Sequence, residues 1–241
     1  MLNAQRMATN IKRLTHILKR NQLIVDKSQF VMQEAAAYVQ SFPNDNWELF
    51  ISPEKPLEFV EAQSDKRLRP DIFCKIKTES QDDWAVSDLG VVIRVWSTEQ
   101  TVSFRPEWDS QELNRKLGTT GLHKRVMFRC HYDKRSTKEY APLFHLQFGG
   151  DSRDDEFCWL PHNLELPRFP SPPMDLVLTC ELVIATFFPY VYKRLCEDGN
   201  WTSVIKESER HFMREYFKIC GDYDPQRCHQ TLLDYLCSPT P

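Results

Sequence analysis

Two short segments set ionisable groups at alternating positions. Val126, Phe128, Cys130 and Tyr132 alternate with Met127, Arg129 and His131, while Phe144, Leu146 and Phe148 alternate with Leu143, His145 and Gln147. Side chains on a strand point to opposite faces at period two. If the segments pair antiparallel, one face is oily and the other gathers Arg129, His131, His145 and Gln147. Two imidazoles, a guanidinium and an amide can position a phosphate or carboxylate, or act as acid and base near neutral pH. The wet face of an ordinary half-buried sheet shows the same alternation. No carboxylate or Ser/Cys nucleophile is tied to either histidine by a fixed spacing, so a catalytic triad is not supported.

Glu181 is a second candidate for chemistry. On a helix it shares an arc with Val177, Leu178, Ile184, Ala185 and Phe188. A carboxylate there must be paired, protonated or at the packing edge. A raised pKa would point to function, whereas a structural partner such as an Arg, or an exposed edge, would not.

Metal and nucleotide signatures are weak, and no metal or cofactor is expected. Cys158 and His162 are four apart, and Cys228-His229 lies between Cys220 and Cys237, but no CxxC pair of structural zinc sites occurs. The acidic turn Asp151, Asp154, Asp155, Glu156 lacks the spacing and central glycine of a calcium loop. Gly118-Thr119-Thr120-Gly121 has the GxxG form of a phosphate-contacting turn, but a strand is expected after it where such a turn needs a helix. A Walker loop is absent.

Basic charge gathers at the N-terminus. Residues 1–27 hold Arg6, Lys12, Arg13, Lys19, Arg20 and Lys27 against Asp26 alone, net +5, so the remainder of a chain of net charge -3 carries -8. Such asymmetry marks a docking surface for an acidic partner, or a solvated helix face. Lys12, Arg13, Lys19 and Arg20, extended by Lys134, Arg135 and Lys138 of the inter-strand loop, are the candidate binding residues.

These groups need elements to carry them. Ile11, Leu14, Ile17 and Leu18 recur at helical spacing, and a second helix is expected from a Ser28 cap, with Val31, Ala35, Tyr38 and Val39 on one side, to before Pro43. The section 57–160 reads as strands: 57–62, 72–77, 84–87, 91–96, 126–132 and 143–148, with Asp88-Leu89-Gly90 as a turn. One helix interrupts them, capped by Asp109 and stopped at Gly118. Five prolines within 161–173 imply an extended connector. A helical section follows, with Ser171 as cap and Pro172 at its first position, running to about Phe188 with a break at Pro189. Further helices are expected over 201–220, ended by Gly221, and over 224–236.

This order of helices, strands and helices predicts an α+β fold: a mostly antiparallel mid-chain sheet, an N-terminal helical pair and a C-terminal helical layer on one face. It is read as a single domain over 1–241, comprising a helical arm at 1–43, a sheet-rich core at 57–160, the proline-rich connector and a helical layer at 174–238. The 241 residues, 41% hydrophobic, 12% aromatic and 27% charged, can fill one such core and exclude a disordered chain. The eight cysteines would suit disulfides only in an exported protein. The N-terminus lacks the apolar core and cleavage site of a secretory signal, so the thiols are read as reduced and the location as cytoplasmic. The run Leu176–Tyr192 is interrupted by Glu181 and Pro189 and suits a buried helix better than a membrane span.

The expected function is a non-enzymatic cytoplasmic binding or accessory protein that meets an acidic macromolecule, nucleic acid or protein, through the basic helix and loop. The alternative is a hydrolase or nuclease-like enzyme using the His/Arg strand face. Association through the C-terminal helices, with a second copy or another chain, is a third expectation.

Overall fold

The computed structural model describes residues 3–43, 46–62, 68–78, 86–97, 123–132, 144–148 and 169–222; along 123–132, 147–148 and 169–170 it is the backbone and its pairing that are described. Helix α1 spans Ala4–Arg20. The Asn3 side chain starts it by accepting the Arg6 N–H at 2.9 Å. Its end is a Schellman turn: Gln22 adopts the left-handed conformation at φ 54°, and the Leu23 N–H reaches back to the Leu18 carbonyl at 3.0 Å. Met7, Ile11, Leu14 and Leu18 are wholly buried, which fits the helical spacing. Helix α2 covers Asp26–Gln40, earlier than a Ser28 cap implies. Ser28 lies inside the helix, where its hydroxyl accepts the Glu58 N–H at 2.7 Å and donates to the Glu58 carbonyl at 2.9 Å. Tyr38 is exposed, and Met32, Ala35, Ala36 and Val39 form the buried side.

The strands are β1 (Glu48–Ile51), β2 (Leu57–Glu58), β3 (Leu68–Lys77), β4 (Asp88–Ser97), β5 (His123–Tyr132), β6 (Phe144–Phe148) and β7 (Phe169–Pro170). They form one antiparallel sheet in the order β1-β3-β4-β5-β6-β7, with β2 also on β3. Asp88-Leu89-Gly90 is not a turn. All three residues pair with β3, Leu89 in the core and Gly90 opposite Lys75, so the reversal falls within 78–87. The proline-rich connector is also corrected at its end, where Phe169–Pro170 joins the sheet edge. An edge strand tolerates a residue with no N–H to donate.

Helix α3 (Leu176–Phe187) is capped by Asp175 rather than Ser171. It breaks at Phe188, and Pro189 opens helix α4 (Pro189–Leu195). Helix α5 (Gly199–Phe212) and helix α6 (Arg214–Asp222) replace the single expected helix, and Gly221 lies inside the latter. Helix α1 packs on α2, α3 and α5, while α3 packs on β3 and β4. The N-terminal pair, the sheet and the C-terminal helices share one apolar cluster that includes Trp47, Phe59 and Trp201. Each such side chain withdrawn from water is worth roughly 1.5–3 kcal/mol. Among the described residues, no helix is long and apolar enough to cross a membrane. The expected helices over 109–118 and 224–236, the Gly118–Gly121 segment, the acidic turn at 151–156, the Cys158/His162 and Cys228-His229 pairs and the loop bearing Lys134, Arg135 and Lys138 lie outside the described residues.

Candidate binding face of the sheet

Strand register sorts the sheet into two chemically different faces. Ile72, Cys74, Ile76, Leu89, Val91, Ile93, Val95 and Phe144 belong to the buried apolar cluster on one side. The other side is read from four rungs. Arg69, Trp96 and Lys124 stand opposite one another, as do Asp71, Arg94 and Met127. Phe73, Val92, Arg129 and Gln147 make the third rung, and Lys75, Gly90, His131, His145 and Pro170 the fourth. The expected antiparallel pairing of the 126 and 143 segments therefore forms, with His131 opposite His145 and Arg129 opposite Gln147. Directly opposed residues share a sheet face.

His145 is only 3% exposed, so its end of the rung is enclosed rather than wet. Gly90, beside His131, contributes no side chain. Among the described residues, a Cβ built there would meet nothing nearer than the Lys75 carbonyl at 3.9 Å. Lys75 reaches diagonally to Asp88 at 2.8 Å, which raises its pKa.

Asp71, Arg94 and Trp96 form a cluster that sequence reading missed. Arg94 donates to both Asp71 carboxylate oxygens, from Nε at 2.8 Å and Nη2 at 3.1 Å. Nη2 also donates to the Pro53 carbonyl at 3.0 Å, and the Trp96 indole N–H donates to Asp71 at 2.7 Å. The guanidinium lies 4.9 Å from the Phe73 ring centre and 5.4 Å from that of Trp96, a cation–π sandwich. Burial lifts the Asp71 carboxyl above its ordinary range, against the pull of Arg94 and Trp96. The usable signal was the alternation Asp88, Gly90, Val92, Arg94, Trp96, which a turn at 88–90 conceals.

Charge is distributed unevenly across this face. Strands β5 and β6 contain Lys124, Arg125 and Arg129 and no acidic residue. These two strands carry +3 in a chain of net charge -3. Every backbone partner of β5 is uncharged or basic at neutral pH, with Arg94 on β4 and Gln147 and His145 on β6.

The other candidate residues are placed elsewhere. Glu181 sits on α3, which packs on the apolar side of the sheet, so it does not join the histidine rung. It is half-buried and accepts the Tyr192 hydroxyl at 3.1 Å. Burial raises its pKa, Tyr192 lowers it, and the nearby Glu209 charge raises it. The partner is thus a tyrosine, with no arginine needed. On α1, Arg20 pairs with Asp198, and Lys12 donates to Gln40 at 2.7 Å. Arg13 is half-buried and Lys19 exposed. Arg6 pairs with Glu207 at 3.0 Å. Asp198 is held below the usual carboxylate range, first by the Asn200 N–H and then by Arg20.

No family model, curated protein or solved structure matches this chain. The chemistry of the face therefore rests on its own residues. Among the described residues no cluster of three or more His, Cys, Asp or Glu is placed to hold a metal ion, and Cys74, Cys180, Cys196 and Cys220 are free thiols.

Proposed function

We propose that the protein is a non-enzymatic binding or accessory protein of the cytoplasm, and that it meets an acidic partner on the β5–β6 side of the sheet, on the face opposite the apolar cluster. One observation carries the reading: β5 is rich in cations, and none of its ladder partners is an acid. Helix α1 and the loop at 133–142 are the contacts the sequence suggests; because Arg6, Arg20 and Lys12 on the helix are engaged with Glu207, Asp198 and Gln40, we put the contact on β5. Free thiols suit a reducing compartment. Titration with heparin, a polyanion without bases, at low and physiological salt tests the proposal. Salt-weakened binding is expected; equal, negligible binding at both salt levels removes it.

A hydrolase or nuclease-like reading is favoured by a different observation, the rung that sets His131 between Gly90 and His145. In it Arg129 holds an anionic group while one imidazole moves the proton. Hydrolysis of a generic phosphodiester that His131→Ala abolishes would establish it, and no hydrolysis by the wild type would dismiss it. Association through the C-terminal helices is supported by Tyr190, 85% exposed on α4, and Phe217, 56% exposed on α6. Light scattering that finds only monomer ends the self-association version.

A further inference from the structure

We propose that the chain forms a two-fold dimer through the outer edge of strand β1, where a second copy adds its own β1 antiparallel and the exposed sides of the two α2 helices meet. This goes beyond the acidic-partner reading and does not depend on it. In the β1–β3 ladder the Thr78 N–H donates to the Trp47 carbonyl at 3.0 Å, and Leu49 and Ile51 stand opposite Ile76 and Cys74. Bonded pairs alternate along antiparallel strands. Trp47, Leu49 and Ile51 therefore direct their backbone groups at β3, while Glu48 and Phe50 direct theirs outward. Among the described residues no strand pairs with that side. The neighbouring edge is closed: the Glu58 carbonyl accepts the Val25 N–H and the Ser28 hydroxyl, the Glu58 N–H donates to Ser28, and the Val60 N–H donates to the Leu23 carbonyl. At the far edge Pro170 interrupts β7. Strand β1 has no proline, lysine or bulge to discourage pairing.

Helix α2 packs on β1 and β2, and the pairing of Lys27 with Glu58 shows which side of the helix lies along the edge. Val31 and Tyr38 recur on that side at helical spacing, Phe30 lies one turn before Glu34 and Tyr38 one turn after it, and Phe42 packs edge-to-face on Tyr38 at 5.3 Å. Phe30 is 64% exposed, Tyr38 43% and Phe50 50%, so three large rings stand in water on adjoining elements. At roughly 200 Å² per aromatic side chain, their exposed parts come to about 300 Å² on each copy. A stable interface takes about 800 Å² per partner, so the rings supply roughly a third and the strand backbone, Val31 and Phe42 add to it. The occupant that fits is a second copy, because the edge is self-complementary. A two-fold axis through Leu49 sets Glu48 of each copy opposite Phe50 of the other, closes about four backbone hydrogen bonds and opposes no two like charges directly.

The experiment is sedimentation equilibrium of the full chain over about 1–300 µM protein. The wild type should pass from monomer to dimer within that range. Phe50→Glu removes a ring and sets a carboxylate opposite Glu48 of the second copy, twice across the axis, and should weaken dimerisation by about tenfold or more. Glu48→Pro deletes an outward N–H on each copy while keeping the bonds to β3 and the Phe50 ring, and should weaken it comparably. Adding Glu48→Lys to Phe50→Glu sets opposite charges across the edge and should restore part of the loss. Both positions lie off the apolar cluster, so these variants test the edge and not the core. Tyr190→Ala and Phe217→Ala, on the C-terminal helices, should leave dimerisation within about twofold. A monomer throughout the range overturns the inference, as does a dimer that the Tyr190 or Phe217 variant dissociates, or one that Phe50→Glu and Glu48→Pro leave intact. None of these results bears on polyanion binding, which the heparin titration reads separately.

Discussion

Helix α1 and strand β5 are both basic and both free of acids within their own sequence, yet their surroundings differ. Ala4–Arg20 holds Arg6, Lys12, Arg13, Lys19 and Arg20, and helix α5 and its cap bring Glu207 and Asp198 to two of them. His123–Tyr132 holds Lys124, Arg125 and Arg129, and neither flanking strand pairs it with an acid. A basic run is thus ambiguous until its neighbours are known. On the helical side the cations help join elements distant in sequence. On β5 the ladder sets the basic positions beside uncharged or basic ones.

The largest expected effect separates Arg94 from the other cations of the sheet. Its charge is directed inward, so Arg94→Ala leaves the Asp71 carboxyl buried and short of partners and should cost about 3–5 kcal/mol of stability. Denaturant unfolding reads this directly. A loss below about 1 kcal/mol would make Arg94 another surface cation and erase the distinction.

Asp175 tests the helical side in the same terms. It is wholly buried and accepts the Leu178 N–H at 2.9 Å and the Ser208 hydroxyl at 2.7 Å, joining α3 to α5. Burial, opposed by these donors, pushes its pKa up from 3.8 to about 6. Because the folded value lies above the unfolded one, the folded state holds the proton more tightly. The stabilisation is complete below about pH 4 and is lost as pH rises through about 6, by roughly 3 kcal/mol in all. Asp175→Asn keeps acceptor capacity and should remove this decline, so the stability difference between variant and wild type should change across pH 4 to 7. A constant difference would show that the carboxyl does not titrate in that window.

The smallest effect concerns the α1 ion pairs. Arg6→Ala and Arg20→Ala should each cost less than about 1 kcal/mol, since these pairs are largely solvated, and should leave polyanion binding within about twofold. A larger binding loss would return the contact surface to the helix.

Alternation and punctuation made the main architecture legible. The period-two patterns at 126–132 and 143–148 point to the pairing of β5 and β6 and to the sorting of their faces, and Pro189 marks the helix break. Strand β1 escaped because four residues, Glu48–Ile51, are too few to show a period. Asp88-Leu89-Gly90 has turn composition, but Leu89 is needed in the core, and tertiary packing overrides local preference. Ser171 and Asp175 are both good caps, and burial of Asp175 against Ser208 selects the second. At the candidate site, the histidine rung was legible from one pair of strands. The Asp71–Arg94–Trp96 cluster was hidden by the misplaced turn, and the pairing of Arg20 with Asp198 joins positions too far apart for spacing rules to connect.

The most direct measurement compares two charge-reversal pairs, Lys124→Glu with Arg129→Glu on the strand and Lys12→Glu with Lys19→Glu on the helix, by titrating each double variant with a single-stranded oligonucleotide and with heparin over a salt series. If the strand face is the contact, the strand pair loses affinity by tenfold or more on the oligonucleotide, with a salt slope shallower by about 1.4 for two lost phosphate contacts, while the helix pair stays within about twofold of wild type. Loss confined to the helix pair, or equal loss in both, contradicts a binding face on β5 and β6.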